Sequence, residues 1–420
     1  MTMKRIAIIG GGAAGMVAAI AAARKDQEVV LLEKGPKLGY KVLISGNGSC
    51  NLTNHQKEIP LRDFIHCFPG NGKFLYGALS RMDPEATMRF FEELGVALTV
   101  ERGGRVFPLS KKSKDLVDAL EREIRRLGVE VKLNSRVSKI EKEGDSFRIL
   151  LSGGASLEFD KVVIATGGKS FPGTGSTGDG YSFAKSLEHT VVPTFPALVP
   201  LKIPSVVSLA GLSLRNVKAA ILEKGKVLAE EQGEMLFTHT GVSGPIVLTL
   251  SRLVSQKKEV SLFLRIDFKP ALSREQVDAG LLRDWNKNPR QLLSNALRER
   301  LPFNLIPFVL AVASIPAERV TAEVKKEERK KLVETLKGWL LPIDGVLPIE
   351  TAIVTAGGVE VKEIDPKSME SKKVPGLYWA GEVIDIDGVT GGYNLQAAWS
   401  TGFLAGESAA KDHSPCKFND

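Results

Sequence analysis

The sequence predicts an α/β protein: a parallel sheet flanked by helices with a small antiparallel layer, interrupted along the chain by a β-barrel insert and a helical insert. Three observations predict it. A G-x-G-x-x-G motif, Gly10-Gly11-Gly12-Ala13-Ala14-Gly15, lies between the strand-like run 5–9 and an Ala-rich, helix-favouring run to Arg24. From about residue 195 the texture turns to short β runs, and from about 271 to helical periodicity. Strand and glycine signals return near 345. The expected organisation is therefore an α/β domain in two parts, 1–194 and 345–420, with a barrel at 195–270 and a helical segment at 271–344.

The N-terminal element is the most specific. The run 29–32 follows the first helix and ends in Glu33, a carboxylate about twenty residues beyond the glycines, where the ribose hydroxyls of a dinucleotide are accepted. Strand, helix and acid in register predict a Rossmann-like unit. Gly10 permits the tight turn, Gly12 lets backbone approach a pyrophosphate, and Gly15 lets helix and strand pack closely. The helix N-terminal N–H groups, around Ala13 and Ala14, face the phosphate charge.

Next comes a Gly/Asn-rich loop, 44–51, whose turn formers predict exposed backbone and cofactor contact at Gly46, Asn47, Gly48, Cys50 and Asn51. A helix at 84–94, short strands at 98–100 and 105–107, and a charged amphipathic helix at 113–127 follow. The run 129–133 leads into 137–140, and 147–151 with 156–159 completes an antiparallel layer before the apolar strand 161–168. Runs at 199–203, 217–222, 227–230, 235–237 and 260–268 predict the barrel. Ser273 and Gln276 are placed as a capping box, and 329–340 reads as an amphipathic helix. Strand signals at 349–354 and 377–380 then rejoin the first domain.

Composition excludes several classes. With 420 residues and 43% hydrophobic content the chain is globular and multi-domain. Cys50, Cys67 and Cys416 are widely spaced with no C-x-x-C, which argues for a reducing, cytoplasmic setting and against a metal site. The first 23 residues imitate a secretory signal, but cleavage there would delete the strand and glycines that Glu33 completes. No apolar run of membrane-spanning length appears. The net charge of +8 is scattered among acids, and the densest patch, 325–331, alternates in sign, so a nucleic-acid partner is not the leading expectation.

The strand 162–168 ends in Ala165-Thr166-Gly167-Gly168, and 377–382 ends in Gly381-Glu382, two small-residue strand ends suited to hold a cofactor from opposite sides. This arrangement resembles the two-dinucleotide-binding-domain flavoproteins. Three longer strings, 45–54, 233–245 and 388–399, narrow the resemblance to the BaiN-like, aminoacetone-oxidase-like family of bacterial FAD proteins. It implies an FAD domain with two inserts, and places Gly392, Asn394, Leu395 and Gln396 near the flavin ring. Lys34, Lys41, Val137 and Ala397 complete the expected cofactor contacts.

The implied activity is hydride transfer at flavin N5 with a small organic substrate. Amine oxidation with oxygen as acceptor and NAD(P)H-dependent reduction of an enone or ring both stay open, as does an RNA-modifying or RNA-associated flavoprotein. Gly173 to Gly178 also spells G-x-G-x-x-G, but Phe171-Pro172 precedes it instead of a strand, so it reads as a loop and any NAD(P)H would dock transiently. Thr177 to Gly180, before an apparent helix, is placed to touch the FAD instead. His239 and Lys41 are the catalytic candidates. Strand-end hydrogen bonding is the leading reading of His239 and packing that of Cys50, while Lys41 is equally suited to loop solubility. Oligomeric state is left open.

Overall fold

The computed structural model describes residues 3–56, 59–257 and 260–411; Cys416 lies outside them. The chain divides into two compact units, one made by the residues up to Phe195 together with those from Ile349 onward, the other by Pro196–Pro348.

The first unit begins with β1 (Arg5–Ile9), α1 (Ala13–Ala23) and β2 (Glu28–Leu32), then α2 (Tyr40–Ile44), β3 (Thr53–Asn54), α3 (Leu61–Ile65), α4 (Tyr76–Arg81) and α5 (Pro84–Glu93). Asp83 caps α5 by accepting Ala86 N–H at 2.7 Å, with Pro84 in the first turn where its missing N–H costs nothing. Next come β4 (Leu98–Val100), β5 (Arg105–Pro108), α6 (Ser113–Arg126), β6 (Glu130–Lys132), β7 (Val137–Glu143), β8 (Ser146–Leu151) and β9 (Ser156–Phe159). The first part closes with β10 (Lys161–Ile164), α7 (Asp179–Ser186) and β11 (Val191–Ala197).

The second unit contains β12 (Leu201–Lys202), β13 (Ser213–Glu223), β14 (Lys226–Thr238), β15 (Gly241–Ser243), α8 (Pro245–Gln256) and β16 (Leu262–Asp267). After these follow α9 (Arg274–Lys287), α10 (Leu293–Ala296), α11 (Ile306–Ala313), α12 (Lys326–Gly338) and β17 (Trp339–Pro342). Its sheet runs in the order β12-β15-β14-β13-β16-β17. The segment after β17 bonds back to β12, with Lys202 N–H to Gly345 O and Asp344 N–H to Lys202 O both at 2.9 Å, which joins the two ends of the sheet. The strand-rich segment and the helices share one core, in which Phe237, Phe268 and Phe308 surround Trp339. The capping box at Ser273 and Gln276 is present.

Within the first unit the chain resumes as β18 (Val354–Val359), β19 (Leu377–Trp379) and α13 (Tyr393–Ala409). Five parallel strands lie in the order β19-β10-β1-β2-β6. These strands are apolar over most of their length because helices cover both faces of a parallel sheet. Smaller antiparallel layers, β7-β8-β9 and β3-β5-β4, pack beside it.

Three readings of the sequence need correction. The run 129–133 was expected to lead into the antiparallel layer, but β6 pairs in parallel with β2, Leu31 opposite Val131, because a left-handed residue at Asn134 turns the chain before β7. Segment 349–354 is a short helical turn followed by the start of β18. The runs 227–230 and 235–237 form the single strand β14, which absorbs its irregularity at a register shift opposite Leu214 and Val217.

Helix α1 is buried nearly all round, as its Ala-rich composition requires. It lies against α13 at backbone distance: a Cβ on Gly402 would sit 2.3 Å from Ala14 O, and one on Gly406 2.2 Å from Ala18 O. Gly406→Leu is expected to cost roughly 3 kcal/mol by forcing the two helices apart, read as a lowered thermal midpoint; an unchanged midpoint would deny this contact.

His189 is buried beside Trp379, its Nε2 2.7 Å from Ser371 Oγ and its Nδ1 3.0 Å from Leu187 O. Ser371 Oγ already accepts the N–H groups of Lys373 and Val374, so its proton goes to Nε2 and the ring is neutral with hydrogen on Nδ1. Burial holds its pKa below the ordinary 6.5. The unfolded chain therefore binds the proton more readily, and this site's stability is present above that value and lost as pH falls through it. Thermal midpoints measured from pH 8 to 5 should decline below about pH 6.5, with a shallower slope in His189→Asn.

Candidate functional site

Because the five strands of the main sheet run in parallel, their carboxyl ends share one edge, and the connections from β1 and β10 leave in opposite directions between neighbouring strands. A crevice forms at such a switch point. Here it is a cleft of about 1440 Å³, open mouth included, lined by the turns after β1, β2, β10 and β19 and by the start of α13.

Gly12 caps α1 in an extended conformation with no side-chain cap, which leaves the first-turn N–H groups without helical partners. A Cβ at Gly12 would meet nothing within 4 Å, whereas one at Gly15 would lie 1.8 Å from Gly10 O. The third glycine is a packing requirement and Gly12 opens onto the cleft. Glu33 accepts Gly11 N–H and Gly35 N–H, both at 2.6 Å, and so braces the glycine turn while lining the cleft.

Two charged networks stand in the walls. Lys34 bonds Thr177 Oγ1 and pairs with Asp179 at 2.8 Å, and Arg136 reaches the other oxygen of Asp179 at 3.1 Å. Lys41 Nζ donates to Glu382 Oε2 at 2.7 Å and to Ser170 Oγ at 2.6 Å. Glu382 Oε1 accepts Thr355 N–H at 2.8 Å and the Ser170 hydroxyl at 2.9 Å. Burial pushes the Glu382 carboxyl upward, but the Lys41 charge and these hydrogen bonds outweigh it and hold the group below the usual carboxylate range. The hydroxyl of Thr166, also in the lining, has no hydrogen-bond partner among the described residues.

Of the residues singled out in the sequence, Gly10, Gly12, Ala13, Ala14, Glu33, Lys34, Lys41, Val137, Ala165, Thr166, Gly167, Gly381, Glu382, Asn394, Leu395 and Ala397 come together in this lining. Asn394 also braces the preceding turn, accepting Gly388 N–H at 2.8 Å and donating to Gly388 O at 2.9 Å. Others do not reach it. Gln396 is fully buried and turned into the core, its amide nitrogen within hydrogen-bonding distance of Met82 O, Thr87 Oγ1 and Ser400 Oγ, which corrects its expected place at the ring. Cys50 is likewise in the core, its thiol pushed up to about 12 by burial against a weaker opposing hydrogen bond from Ser45. Asn51 spends its side-chain oxygen on Val106 N–H at 3.1 Å. Gly46 and Asn47 take left-handed backbone conformations in a tight turn with Gly48, and neither Gly168 nor Gly392 belongs to the lining. His239 is exposed in the turn between β14 and β15 of the second unit.

Sequence reasoning missed Ser170, Thr355 and Arg136. No motif marks them. Asp179 carried a signal, the Thr-Gly-Asp-Gly string before a helix, and its helix α7 does start there.

The donor set fits FAD: unpaired first-turn N–H groups for a pyrophosphate, open space at Gly12, an unpartnered Thr166 hydroxyl, and cations in the wall. The family described as HI0933-like protein Rossmann domain matches residues 4–408. The 3-dehydro-bile acid delta(4,6)-reductase of Clostridium scindens is 37% identical over 417 residues, 97% of this chain and 100% of that protein. The ribosomal RNA dihydrouridine synthase of Escherichia coli is 33% identical over 412 residues, 95% of this chain and 96% of that protein. A 3-ketosteroid-delta4-(5alpha)-dehydrogenase structure from Rhodococcus jostii shares the fold, with a TM-score of 0.52 at 16% identity over 97% of both chains. No helix among the described residues is long and apolar enough to cross a membrane.

Gly12→Val adds its branch to open space, so the protein should fold with an unchanged thermal midpoint yet bind FAD at least about 100-fold more weakly, the pyrophosphate path being blocked, a loss of about 2.7 kcal/mol. Flavin titration by fluorescence quenching checks it, and full affinity in this variant would remove the phosphate from the α1 terminus.

Proposed function

The chain belongs to the HI0933-like Rossmann-domain family and is an FAD-dependent oxidoreductase, and on that premise we propose that it saturates a ring carbon–carbon double bond conjugated with a carbonyl. The observation that carries this reading is that the two relatives described above, 37% and 33% identical along nearly the whole chain, bear names for reductive reactions on ring double bonds, in a bile acid and in uridine. Amine oxidation, the other expectation of the sequence, has no comparable support.

Bound and reduced, FAD would supply the hydride from its N5. The chain's own residues bind and orient. The α1 terminus at Gly12 to Ala14 takes the pyrophosphate, and Glu33 keeps lone pairs for ribose hydroxyls beyond those given to Gly11 and Gly35. The Thr166 hydroxyl and the backbone at Gly167 and Gly381 also line the cleft, and α13 contributes Asn394 and Leu395 to it. Lys41 presents a fixed ammonium in the wall. Any NAD(P)H that reduces the flavin docks transiently, since residues 173–178 form a short helical turn and loop and not a second dinucleotide unit.

A second reading, reduction of a uracil ring within RNA, is favoured by where the charge lies. Residues 196–348 hold 23 Lys and Arg against 16 Asp and Glu, so +7 of the chain's net +8 belongs to the second unit. A basic unit of that kind suits a polyanion.

Anaerobic stopped-flow on dithionite-reduced protein separates these readings. A cyclic dienone should reoxidise the flavin well above the buffer rate, while primary amines should fail to bleach the oxidised protein. Reoxidation by a uridine-bearing RNA, with affinity falling steeply between 50 and 200 mM salt, would select the second reading. Bleaching by amines with no response to either double bond would overturn both.

A further inference from the structure

Lys41 is the most constrained charge in the cleft wall. Its ammonium has three N–H donors; one goes to Ser170 Oγ and one to Glu382 Oε2, and the side chain keeps 26% of its surface exposed toward the cleft it lines. Glu382 is held as firmly. Its other oxygen accepts the Thr355 N–H and the hydroxyl of the fully buried Ser170, while Thr355 Oγ1 accepts the Lys169 and Ser170 N–H groups at 2.8 and 3.1 Å. Each charge of the pair therefore has anchors besides its partner, and removing one leaves the other in place.

We propose that the Lys41–Glu382 pair, locked by Ser170 and Thr355, sets the electron affinity of the flavin bound in this cleft, with Lys41 raising it and Glu382 lowering it. The proposal rests on the reading that the cleft holds FAD. Reduction adds negative charge to the flavin, so a fixed cation in a partly desolvated wall favours the reduced form and a fixed anion the oxidised one. In the intact pair the two fields oppose each other. Ser170 and Thr355 are positioning residues: they keep both charges from turning to solvent when the flavin changes charge.

The test is the midpoint potential of the holoenzyme, by dye-equilibrated reductive titration, with the flavin-to-protein ratio measured alongside. Lys41→Met should lower the reduction equilibrium constant about tenfold, about 30 mV for a two-electron couple. Glu382→Gln should raise it by a similar factor, and Lys41→Arg should stay near the wild-type value. A merely structural role would move both variants in the same direction or neither, and either result overturns the proposal. Loss of flavin from Lys41→Met would also overturn it, by assigning the lysine to binding. Should Glu382→Gln fail to fold, Lys41→Met and Lys41→Arg decide the matter on the same readout. Colourless wild-type protein that takes up no added FAD would sink the FAD reading instead, so the two failures are distinguishable.

Discussion

The close approach of α1 and α13 is the constraint on which the site depends. Ala14 and Ala18 on one helix and Gly402 and Gly406 on the other leave so little side chain between them that carbonyl oxygens of α1 sit where a Cβ of α13 would be. This contact fixes the axis of α1, and with it the direction of the unpaired N–H groups at Gly12. It also ties the start of the chain to its end, because α13 carries Asn394, Leu395 and Ala397 into the cleft on the same helix that packs against α1. Small residues at a helix crossing are often read as flexibility. In this protein they are what lets the two backbones meet.

Electrostatics follow from the same geometry. A parallel sheet delivers the ends of all its strands to one edge, so the acids and bases at those ends meet whether or not they are near in sequence. The outcome is two networks that are satisfied internally, Lys34–Asp179–Arg136 and Lys41–Glu382–Ser170–Thr355. An unpaired charge in such a wall would carry a desolvation cost of several kcal/mol. Pairing lowers that cost and preserves a local field, which is the useful quantity where electrons are exchanged.

The second unit builds its own core around Trp339 and Phe237. It also carries nearly all of the net positive charge. Charge concentrated on an element with an independent core can change without disturbing the cofactor cleft. That separation gives a physical basis for relatives of one family acting on substrates as different as a bile acid and ribosomal RNA.

The glycine turn, Glu33, the small-residue ends of two strands and the capping box at Ser273 were all legible in the sequence, because turn chemistry, hydrophobic period and helix caps are local properties read over a few residues. The same local reading misassigned β6 and the start of β18, where the pairing partner and not the segment decides what a short apolar run becomes. The family resemblance, for its part, sent Gln396 to the flavin, whereas the fold turns that side of α13 to Met82 and Thr87. What only the tertiary structure decided is how the charges are paired. Ser170 and Thr355 carry no motif, and Lys41 finds Glu382 across 341 residues of chain. Such a pair is set by where α2 meets the turn after β19 in the folded unit, a juxtaposition that no window of sequence contains.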